Sequence, residues 1–468
     1  MRLLADLAAL LGADGVLTDA ADRAPYERDW RGVAQNPACA VVLPKHVEQV
    51  SEIVKLCAAN NVKIVPQGGN SGLVAGGVPV ADSAQLILSL NRMARVRALD
   101  LAGDHIIVEA GMTLAVLQAH AQQAGRLFPV SFGAEGTARI GGIISTNAGG
   151  MQVLSYGNMR EQVLGLEVVL ADGRVWDGLS ALRKDNTGYD LKQLFIGAEG
   201  TLGIITAACL RLQPPVRQRA SALVGVADVA RALDVFQVVR HVAGPDLTLC
   251  EFMTHDALAL GAVIANDGRM PFSSPAYLLL ELCARAQDTQ PATMLERVLA
   301  AVFEEGTACD AVIAQSERER ADFIAMREAI SEGELRQGGA VKHDVAVPLW
   351  QLPALVGALE ALMAARYPDC RLNLFGHVGD GNLHVNIRPP AGQSLADLAP
   401  RKAAITADIE ALAVRLGGSF SAEHGIGQLR LAGMVAHKSA VALDLMRAVK
   451  HALDPAGLFN PGKTVPGA

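Results

Sequence analysis

The stretch PQGGNSGL, residues 66–73, is the densest local motif of the sequence, and Gly76-Gly77 follows shortly after it. Glycines packed this closely let successive backbone N–H groups converge on one anion, which is how a backbone nest holds a phosphate or pyrophosphate. A mobile surface loop is the ordinary alternative for such a segment. The chain contains neither G-x-x-x-x-G-K-S/T nor G-x-G-x-x-G, so an ordinary P-loop or Rossmann dinucleotide site is disfavoured.

Two further glycine-rich regions follow in the same part of the chain. The first is SFGAEGT at 131–137, which leads into IGG at 140–142 and NAGG at 147–150, and the second is GAEGTLG at 197–203. Three such loops within one domain suit a long ligand threaded between two subdomains. A dinucleotide is a ligand of that kind, so we expect the loops to bind one together.

Around these loops the apolar pattern predicts alternating helices and strands. A helix is expected at 47–57, and a short strand at 62–65 runs into the first glycine loop. Further elements are predicted as strands at 86–90, 106–109, 164–170 and 204–212 and a helix at 113–123. Pro214-Pro215 then marks a domain boundary, because consecutive prolines neither donate ladder hydrogen bonds nor continue a helix.

The second half of the chain also mixes strand and helix patterns. The expected elements are a strand at 277–282, a helix at 291–304, a charged helix at about 316–336, a strand at 341–347 and a last helix at 440–453. No internal repeat or low-complexity tract interrupts them. The expected fold class is therefore α+β.

Composition narrows the classes of function. The 468 residues are 51% hydrophobic and 19% charged, which excludes a disordered, collagen-like or heptad-rich protein. The net charge of -7 predicts no binding to nucleic acid or an anionic membrane. Seven scattered cysteines without a C-x-x-C pair argue against a disulfide framework and a zinc ribbon. With no secretory signal or membrane span predicted, we expect a cytoplasmic protein that acts on a small molecule.

The segment GHVGDGNLHVN, residues 376–386, is the second chemical motif. If residues 379–382 form a hairpin loop, His377 faces His384 with roughly 5 Å between the Cβ atoms. Two imidazoles on one face can share a metal ion, and Asn386 lies on the same face two residues beyond His384. A packed or solvated histidine is the ordinary alternative, but several polar groups in one glycine-flanked motif favour a metal.

A third ligand is expected from SAEHGIG, residues 421–427, whose glycines allow a loop. Glu423 supplies a carboxylate, and the adjacent His424 is a candidate general base. Two histidines plus a carboxylate form an ordinary open site for a divalent metal ion. The predicted metal ligands are therefore His377, His384 and Glu423.

A candidate anion site is predicted on the charged helix. Arg327 and Ser331 are four residues apart and would share a helix face. Lys342 stands at the start of a segment that is typical of a buried strand, where a cation can help Arg327 hold an anionic substrate. An exposed arginine without a special role is the ordinary alternative.

Six segments together resemble a known family: PQGGNSGLVAGGVP, IGGIISTNAGG, GAEGTLGIIT, GHVGDGNLHVN, SAEHGIG and LDPAGLFNPGK. Over most of its length the chain resembles the FAD-dependent 2-hydroxyacid dehydrogenases of the vanillyl-alcohol-oxidase-like flavoprotein superfamily. The resemblance implies an N-terminal helical segment at 1–36 and a PCMH-type FAD-binding domain of two subdomains at 37–216. It also implies an α+β substrate (cap) domain with an antiparallel sheet at 217–435, and a C-terminal helix and tail at 436–468 that return to the flavin domain.

The resemblance further implies roles for single residues. It assigns zinc binding, with Mn²⁺ as the alternative, to His377, His384 and Glu423, and substrate contacts to Arg327, Ser331, Lys342, Asn386 and His424. Position 331 carries serine where the family is expected to have threonine, which keeps the hydroxyl. The implied contacts with non-covalent FAD are Pro66, Gln67, Gly68, Gly69, Asn70, Ser71, Gly72, Gly76, Ser131, Gly133, Thr137, Gly141, Gly142, Asn147, Gly149, Glu199, Gly200, Ile205 and Asn460.

The implied activity is oxidation of a D-2-hydroxyacid, with D-2-hydroxyglutarate as the expected substrate and D-malate as a further candidate. In the implied mechanism the metal binds the 2-hydroxyl and C1 carboxylate, His424 takes the hydroxyl proton and the hydride passes to FAD. An electron-transfer flavoprotein or a quinone then reoxidises the flavin. The sequence leaves open D-lactate or glycolate as the substrate, a homodimer, and two other classes, a metal-dependent hydrolase and a non-catalytic flavin-binding module.

Overall fold

The computed structural model describes residues 2–81 and 84–467, and the chain folds into two compact units. The first unit is formed by Met1–Gly150, Gly157–Pro215 and Glu423–Ala468, and the second by Met151–Tyr156 and Val216–Ala422. The domain boundaries that the sequence implies, at 216 and 435, remain predictions, and this division into two units is a separate description of the chain. No helix within the described part of the chain is both long and apolar enough to cross a membrane.

Strands occur throughout both units. In the described residues they are β1 (Val16–Leu17), β2 (Val41–Val42), β3 (Lys63–Gln67), β4 (Gln85–Ser89), β5 (Val96–Asp100), β6 (His105–Glu109), β7 (Val163–Val169), β8 (Val175–Gly178), β9 (Ile204–Arg211), β10 (Gln218–Val226), β11 (Leu247–Thr254), β12 (Ala276–Ala284), β13 (Asp310–Ile313), β14 (Val341–Ala346), β15 (Arg371–Gly376) and β16 (Asn382–Arg388).

Helices alternate with these strands. They are α1 (Arg2–Leu11), α2 (Ala20–Glu27), α3 (Val47–Ala59), α4 (Leu114–Gln123), α5 (Ile140–Ser145), α6 (Val153–Tyr156), α7 (Met159–Gln162), α8 (Lys192–Phe195), α9 (Val229–Ala243), α10 (His255–Ala265), α11 (Pro291–Glu304), α12 (Glu317–Glu328), α13 (Ile330–Arg336), α14 (Leu352–Arg366), α15 (Lys402–Arg415), α16 (Leu431–His437) and α17 (Ala440–Leu453).

The first unit contains two sheets. The four-stranded sheet has the order β1-β2-β4-β3, in which β2, β4 and β3 run parallel, and the five-stranded sheet has the antiparallel order β5-β6-β9-β7-β8. Helix α3 packs on its sheet because Val50, Ile53, Val54 and Cys57 recur at helical spacing and are buried. Burial of each such side chain contributes about 1.5–3 kcal/mol. Strand β3 ends at the start of the first glycine loop.

The second unit is built on one antiparallel sheet of seven strands, in the order β13-β10-β12-β11-β15-β16-β14. Apolar side chains on one face, such as Leu278 and Val385, share a core with α9, α11, α14 and α15. The opposite face shares a smaller core with α10, α12 and α13 through residues such as Met253 and Tyr277. The predicted α+β class with an antiparallel sheet is confirmed.

The predicted charged helix at 316–336 is divided into α12 and α13, which corrects one step of the sequence argument. Ala329, between the two helices, has φ −73° and ψ −7°, and this ψ departs from that of a continuous α-helix. Helix α13 then packs Gly333 so closely on α10 that a Cβ atom there would overlap the carbonyl oxygen of Leu260. Arg327 and the exposed Ser331 consequently lie on different helices rather than on one helix face.

Candidate active site

The first glycine loop packs directly against the second within the first unit. A Cβ atom on Gly69 would overlap the carbonyl oxygen of Thr137, and one on Gly68 would lie 3.4 Å from the Cα atom of Gly142. Two backbones can approach this closely at position 69 only because glycine lacks a side chain. The structure therefore brings residues 66–73 and 131–142 together.

The same two loops also present open backbone. Around Gly72 and Gly133, no atom beyond the neighbouring residues lies within 4 Å of the position that a Cβ atom would take, and both glycines are exposed. The loops thus combine tight mutual packing with an accessible outer surface. This arrangement fits a long phosphate-containing ligand that lies along the backbone.

Several predicted cofactor residues use their side chains to hold the loops. Gln67 Nε2 donates to the carbonyl oxygens of Tyr26 and Gly77, both at 2.8 Å. Asn147 Oδ1 accepts from the amide of Arg160 at 2.8 Å. The other predicted contacts lie in the glycine loops, in strands β3 and β9 or in helix α5, and they stay predictions: Pro66, Gly68, Gly69, Asn70, Ser71, Gly72, Gly76, Ser131, Gly133, Thr137, Gly141, Gly142, Gly149, Gly200 and Ile205.

Glu199 joins the third glycine loop to the segment that carries His424. Its carboxylate accepts hydrogen bonds from the amides of Ile426 and Gly427, both at 2.8 Å. Burial raises the pKa of the Glu199 carboxyl, and these two amide donors act against that rise. The predicted cofactor residue Glu199 therefore directs its side chain at the loop that follows His424.

Asn460 and Lys463 complete this buried polar centre. Asn460 Nδ2 donates to the carbonyl oxygens of Glu199 at 2.7 Å and of Gly76 at 3.1 Å, and Lys463 Nζ donates to Asn460 Oδ1 at 2.6 Å. Burial lowers the pKa of Lys463 to about 7, although the nearby Glu199 acts to raise it. The C-terminal tail is thereby joined to two glycine loops.

In the second unit, a polar row crosses the strands β14, β16 and β15. Asp344 pairs with His384, which in turn pairs with Phe375, so the three side chains lie on one face of the sheet. The rings of Phe375 and His384 have centroids 5.0 Å apart. Oδ1 of the buried Asp344 accepts from Asn382 Nδ2 at 2.9 Å and lies 3.8 Å from His384 Nδ1. The row therefore places an imidazole beside a carboxylate.

His377 does not face His384 across the strands, which corrects the predicted hairpin pairing. Strand β15 ends at Gly376, residues 378–380 form a 3₁₀ turn, and Phe375 takes the position opposite His384. The two imidazole rings still lie edge to face, with centroids 5.6 Å apart. His377 Nδ1 lies 2.5 Å from Glu251 Oε1. A histidine that binds a metal ion through one ring nitrogen usually contacts a carboxylate or a carbonyl oxygen through the other. The ligand role of His377 remains a proposal.

Four side chains form a group that is able to hold a metal ion. Asp344, His384, Glu423 and His424 each offer one ligand atom, and these four atoms lie within 4.8 Å of one another. Carboxylates and imidazoles are ligands that Zn²⁺ accepts. The amide of Ala422 donates to the carbonyl oxygen of Asp344 at 3.1 Å, which fixes the chain just before Glu423.

This group includes two predicted ligands and the predicted base, together with Asp344, which the sequence analysis missed. The position of Asp344 relative to Lys342 in the sequence could have indicated its role. Asp344 lies two residues after Lys342 in a predicted strand, so both side chains belong to one face. A carboxylate on the same strand face as a candidate substrate residue is a reason to include it in the site.

Arg327 is buried at the end of α12 and pairs with a glutamate of the sheet. Its Nε donates to Glu251 Oε2 at 2.6 Å, and its guanidinium lies 5.0 Å from the ring centroid of Phe375. Burial alone would raise the pKa of Glu251, but attraction to His377 and Arg327 lowers it to about 2. Glu251, which the sequence analysis missed, therefore links the predicted substrate residue to His377.

A second polar row lies two residues along the same strands. Lys342 pairs with Asn386, which pairs with Asn373, and all three side chains contact Glu334 of α13. Asn386 Nδ2 lies 2.9 Å from both carboxylate oxygens of Glu334, Asn373 Nδ2 lies 2.6 Å from one, and Lys342 Nζ lies 3.4 Å from the other. Glu334 is completely buried. Its place in the site was not predicted from the sequence, because helical spacing alone does not show that this carboxylate faces the sheet.

Two family models match this chain. The model described as "FAD linked oxidases, C-terminal domain" matches residues 216–464, which is more than half of the chain, and the model "FAD binding domain" matches residues 38–178. The chain belongs to the FAD-linked oxidases. This FAD-linked oxidase carries its FAD-binding match over the first two glycine loops and its C-terminal match over both polar rows.

Curated relatives support the same family. The FAD-linked oxidase is 38% identical over 449 residues to "D-2-hydroxyglutarate dehydrogenase" of Xanthomonas citri pv. viticola, covering 95% of this chain and 93% of the relative. It is 37% identical over 466 residues to "D-2-hydroxyglutarate dehydrogenase, mitochondrial" of Bos taurus, covering 98% of this chain and 83% of the relative. The expected resemblance is therefore confirmed.

Solved structures share the fold at much lower identity. The p-cresol methylhydroxylase with substrate bound superposes with a TM-score of 0.76 at 18% identity, covering 99% of this chain and 96% of that chain. An alkyldihydroxyacetonephosphate synthase superposes with a TM-score of 0.73 at 18% identity, covering 98% of this chain and 85% of that chain. The FAD-linked oxidase is an FAD-dependent dehydrogenase, and the alternatives of a hydrolase or a non-catalytic module find no support in these comparisons.

Proposed function

We propose that this FAD-linked oxidase oxidises a D-2-hydroxyacid to the 2-oxoacid, with D-2-hydroxyglutarate as the first candidate substrate. The observation that carries the proposal is the ligand group of Asp344, His384, Glu423 and His424, which adjoins a second polar row on the same sheet face. The names of relatives at 37–38% identity support D-2-hydroxyglutarate. D-malate shares the 2-hydroxy dicarboxylate chemistry and is the second substrate to test.

FAD fits the glycine loops of the first unit. The accessible backbone around Gly72 and Gly133 would hold the pyrophosphate, and Gly69 allows the two loops to approach each other closely enough to form one surface. The chemistry that FAD would supply there is acceptance of a hydride from the Cα atom of the substrate. The protein groups orient the two reactants and exclude competing reactions.

A divalent metal ion fits the ligand group, with Zn²⁺ as the proposed ion and Mn²⁺ as the alternative. Asp344, His384 and Glu423 would hold it, and His377 is the further ligand that the sequence proposes. The chemistry that such an ion would supply is polarisation of the hydroxyl and carboxylate oxygens of a 2-hydroxyacid, which would favour the alkoxide. Asp344 is held in place by Asn382, so one carboxylate ligand is oriented before any ion binds.

His424 is the proposed general base. It follows the proposed ligand Glu423 directly and belongs to the same group of ligand atoms. An imidazole in this position takes the hydroxyl proton as the hydride leaves the Cα atom, and the nearby carboxylates compensate the charge that it then carries. Glu199 orients the segment behind it through the amides of Ile426 and Gly427.

A monocarboxylate, D-lactate or glycolate, is the alternative to these dicarboxylates, because a specific observation favours it. Arg327 and Lys342 are the predicted substrate contacts that could hold a second carboxylate, and each lies beside a buried glutamate. A monocarboxylate needs neither cation. The proposed acceptor that reoxidises the flavin is an electron-transfer flavoprotein or a quinone. A cytoplasmic location and a homodimer are two further hypotheses.

The test is an anaerobic titration of the yellow holoenzyme with D- and L-isomers of 2-hydroxyglutarate, malate and lactate, and with glycolate. We expect bleaching of the flavin band by D-2-hydroxyglutarate and formation of 2-oxoglutarate in equal amount. Bleaching by L-isomers alone, or by none of these acids in protein that contains flavin and metal, would contradict the proposal.

A further inference from the structure

The two cations that are predicted to contact the substrate, and that could hold a second carboxylate, each lie beside a glutamate of the protein. Arg327 Nε lies 2.6 Å from Glu251, and Lys342 Nζ lies 3.4 Å from Glu334. Both glutamates and Arg327 are buried, so water screens the Arg327 pair far less than a surface pair, whereas the Lys342 side chain is 34% exposed and its pair with Glu334 is partly screened. A second carboxylate of a substrate therefore competes with a carboxylate that is already present.

Glu334 also sets the orientation of two amides beside Lys342. Asn386 and Asn373 both direct Nδ2 at Glu334, so each must turn its Oδ1 away from it. Both Oδ1 atoms are buried without a hydrogen-bond partner in the part of the chain that the structure describes. Amide oxygens accept hydrogen bonds and repel a carboxylate, which brings no donor. Because these oxygens are buried, a substrate does not contact them directly, but the negative ends of the two amide dipoles disfavour a second carboxylate beside Lys342.

The distance from the metal ligands gives this row its place in the substrate site. Asp344 and His384 form one row, and Lys342 and Asn386 form the next, two residues along each strand. A step of two residues on a strand spans about 7 Å. That length matches the far end of a 2-hydroxyacid of four or five carbons whose hydroxyl lies at the metal ligands.

The backbone that carries Glu334 is closely packed. The neighbouring Gly333 packs on the backbone of α10, where a Cβ atom would overlap the carbonyl oxygen of Leu260. Helix α13 is therefore held close to α10, and the Glu334 side chain is completely buried. The Glu334 carboxyl group therefore lies at a defined place in the row, between Lys342, Asn386 and Asn373.

We propose that Glu334 is a specificity-determining residue that weakens the preference of this site for a second carboxylate. By pairing with Lys342 and orienting Asn386, it makes the distal end of the substrate site close to neutral, so that 2-hydroxyacids with uncharged side chains are accepted alongside dicarboxylates. This inference rests on the proposed oxidation of a 2-hydroxyacid and assigns Glu334 no part in the chemical step.

The test compares binding of two 2-oxoacids, 2-oxoglutarate and pyruvate, to metal-loaded holoenzyme by calorimetry. In the wild type we expect the two dissociation constants to differ by less than about tenfold. Glu334→Gln and Glu334→Leu should each strengthen binding of 2-oxoglutarate relative to pyruvate, which changes the ratio of the two dissociation constants by about tenfold or more. The matched control is Glu332→Gln, which changes an exposed glutamate of the same helix and should leave the ratio unchanged.

Lys342→Met provides a second measurement that does not require replacement of a buried carboxylate. Since Glu334 compensates Lys342, Lys342→Met alone should change the ratio of the two dissociation constants by less than about threefold. Added to Glu334→Gln, the same change should remove most of the preference for 2-oxoglutarate that Glu334→Gln creates. A ratio that stays constant or falls in both Glu334 variants with full flavin content would overturn the inference, as would a large effect of Lys342→Met alone. Turnover with D-2-hydroxyglutarate and D-lactate is followed in parallel. Its absence contradicts the proposed function, while the binding ratios still decide the role of Glu334.

Discussion

Gly69 shows what a single residue contributes to the flavin domain. A Cβ atom at this position would overlap a backbone carbonyl of the second glycine loop, and a backbone atom cannot move aside as a flexible side chain does. We expect Gly69→Ala to separate the loops and to yield protein with little bound FAD, measured as the ratio of absorbance at 450 nm to that at 280 nm. The control is Gly357→Ala, in helix α14, where a Cβ atom has open space and should stabilise the helix by up to about 1 kcal/mol. Full flavin occupancy in Gly69→Ala would show that the loops tolerate separation.

The residues of the first glycine loop also determine how FAD is held. The stretch from Pro66 to Gly77 contains no histidine or cysteine, the side chains that most often attach a flavin covalently. We therefore expect acid precipitation to release the yellow colour into the supernatant. A pellet that keeps its colour after washing would identify a covalent link elsewhere in the chain.

At the scale of elements, the pairing of β14 with β16 decides which side chains form the proposed metal site. Asp344 lies opposite His384, and the hydrogen bond from Asn382 holds its carboxylate in place. We expect Asp344→Asn and His384→Ala each to lower the bound metal to well below one equivalent and turnover by about 100-fold or more, while flavin content stays full. Treatment of the wild type with a chelator should have the same effect.

The control for these variants is Asp310→Asn, which changes an exposed carboxylate on strand β13 of the same sheet. Its metal content and turnover should equal those of the wild type. Full activity in metal-free wild-type enzyme would remove the metal from the mechanism, whereas loss of flavin in Asp344→Asn would mean that the change disturbs the fold.

The C-terminal tail is a second case in which one element positions another. Asp454, at the end of α17, accepts from Lys450 Nζ at 2.5 Å and from the amides of Leu458 and Phe459 at 2.8 Å. All of these groups are buried, and the tail then continues to Asn460 beside Gly76. The tail therefore depends on one carboxylate for its first turn.

We expect Asp454→Ala to destabilise the first unit by about 3–5 kcal/mol, because it leaves the buried Lys450 without its counter-charge. The melting temperature of the holoenzyme should fall, and FAD should dissociate at a lower urea concentration. Asp444→Ala is the matched control on the same helix, since its pair with Arg447 is exposed and contributes at most about 1 kcal/mol. Equal stability of the two variants would show that the tail is anchored by other contacts.

At the scale of the whole molecule, Lys463 couples stability to pH. Burial lowers its pKa from 10.5 to about 7 in the folded protein. Between these two values the unfolded chain binds more protons at this position than the folded chain, so the free energy of unfolding rises with pH. The contribution is smallest below pH 7 and grows through the range from pH 7 to 10.

Urea unfolding of the wild type and of Lys463→Met at pH 7.0 and 8.5 tests this coupling. We expect the wild type to gain roughly 1–2 kcal/mol relative to the variant over this interval. The comparison cancels the contribution of the buried cysteines, which are the same in both proteins. If the two proteins show the same change with pH, Lys463 keeps its ordinary pKa in the fold.

Patterns within single elements were enough to predict much of this molecule. The glycine loops and the α+β class follow from motifs and periodicities that involve residues close together in the chain, and the antiparallel second sheet follows from the family resemblance that six such motifs carry. His384, Glu423 and His424 were found for the same reason, since their motifs are local. Periodicity has this power because a helix or a strand repeats its geometry every few residues.

The partners of these residues were decided by the tertiary structure alone. Arg327 meets Glu251 across 76 residues of sequence, and Glu199 meets Ile426 across 227. The break at Ala329 and the turn at residues 378–380 likewise changed which side chains face each other. Such contacts depend on strand order, register and the packing of helices on the sheet, and no spacing in the sequence encodes those directly. The sequence by itself therefore determined which chemical groups this protein carries, whereas the fold decided which charges are compensated, because a charge is compensated only by a group that packing brings within a few ångströms of it.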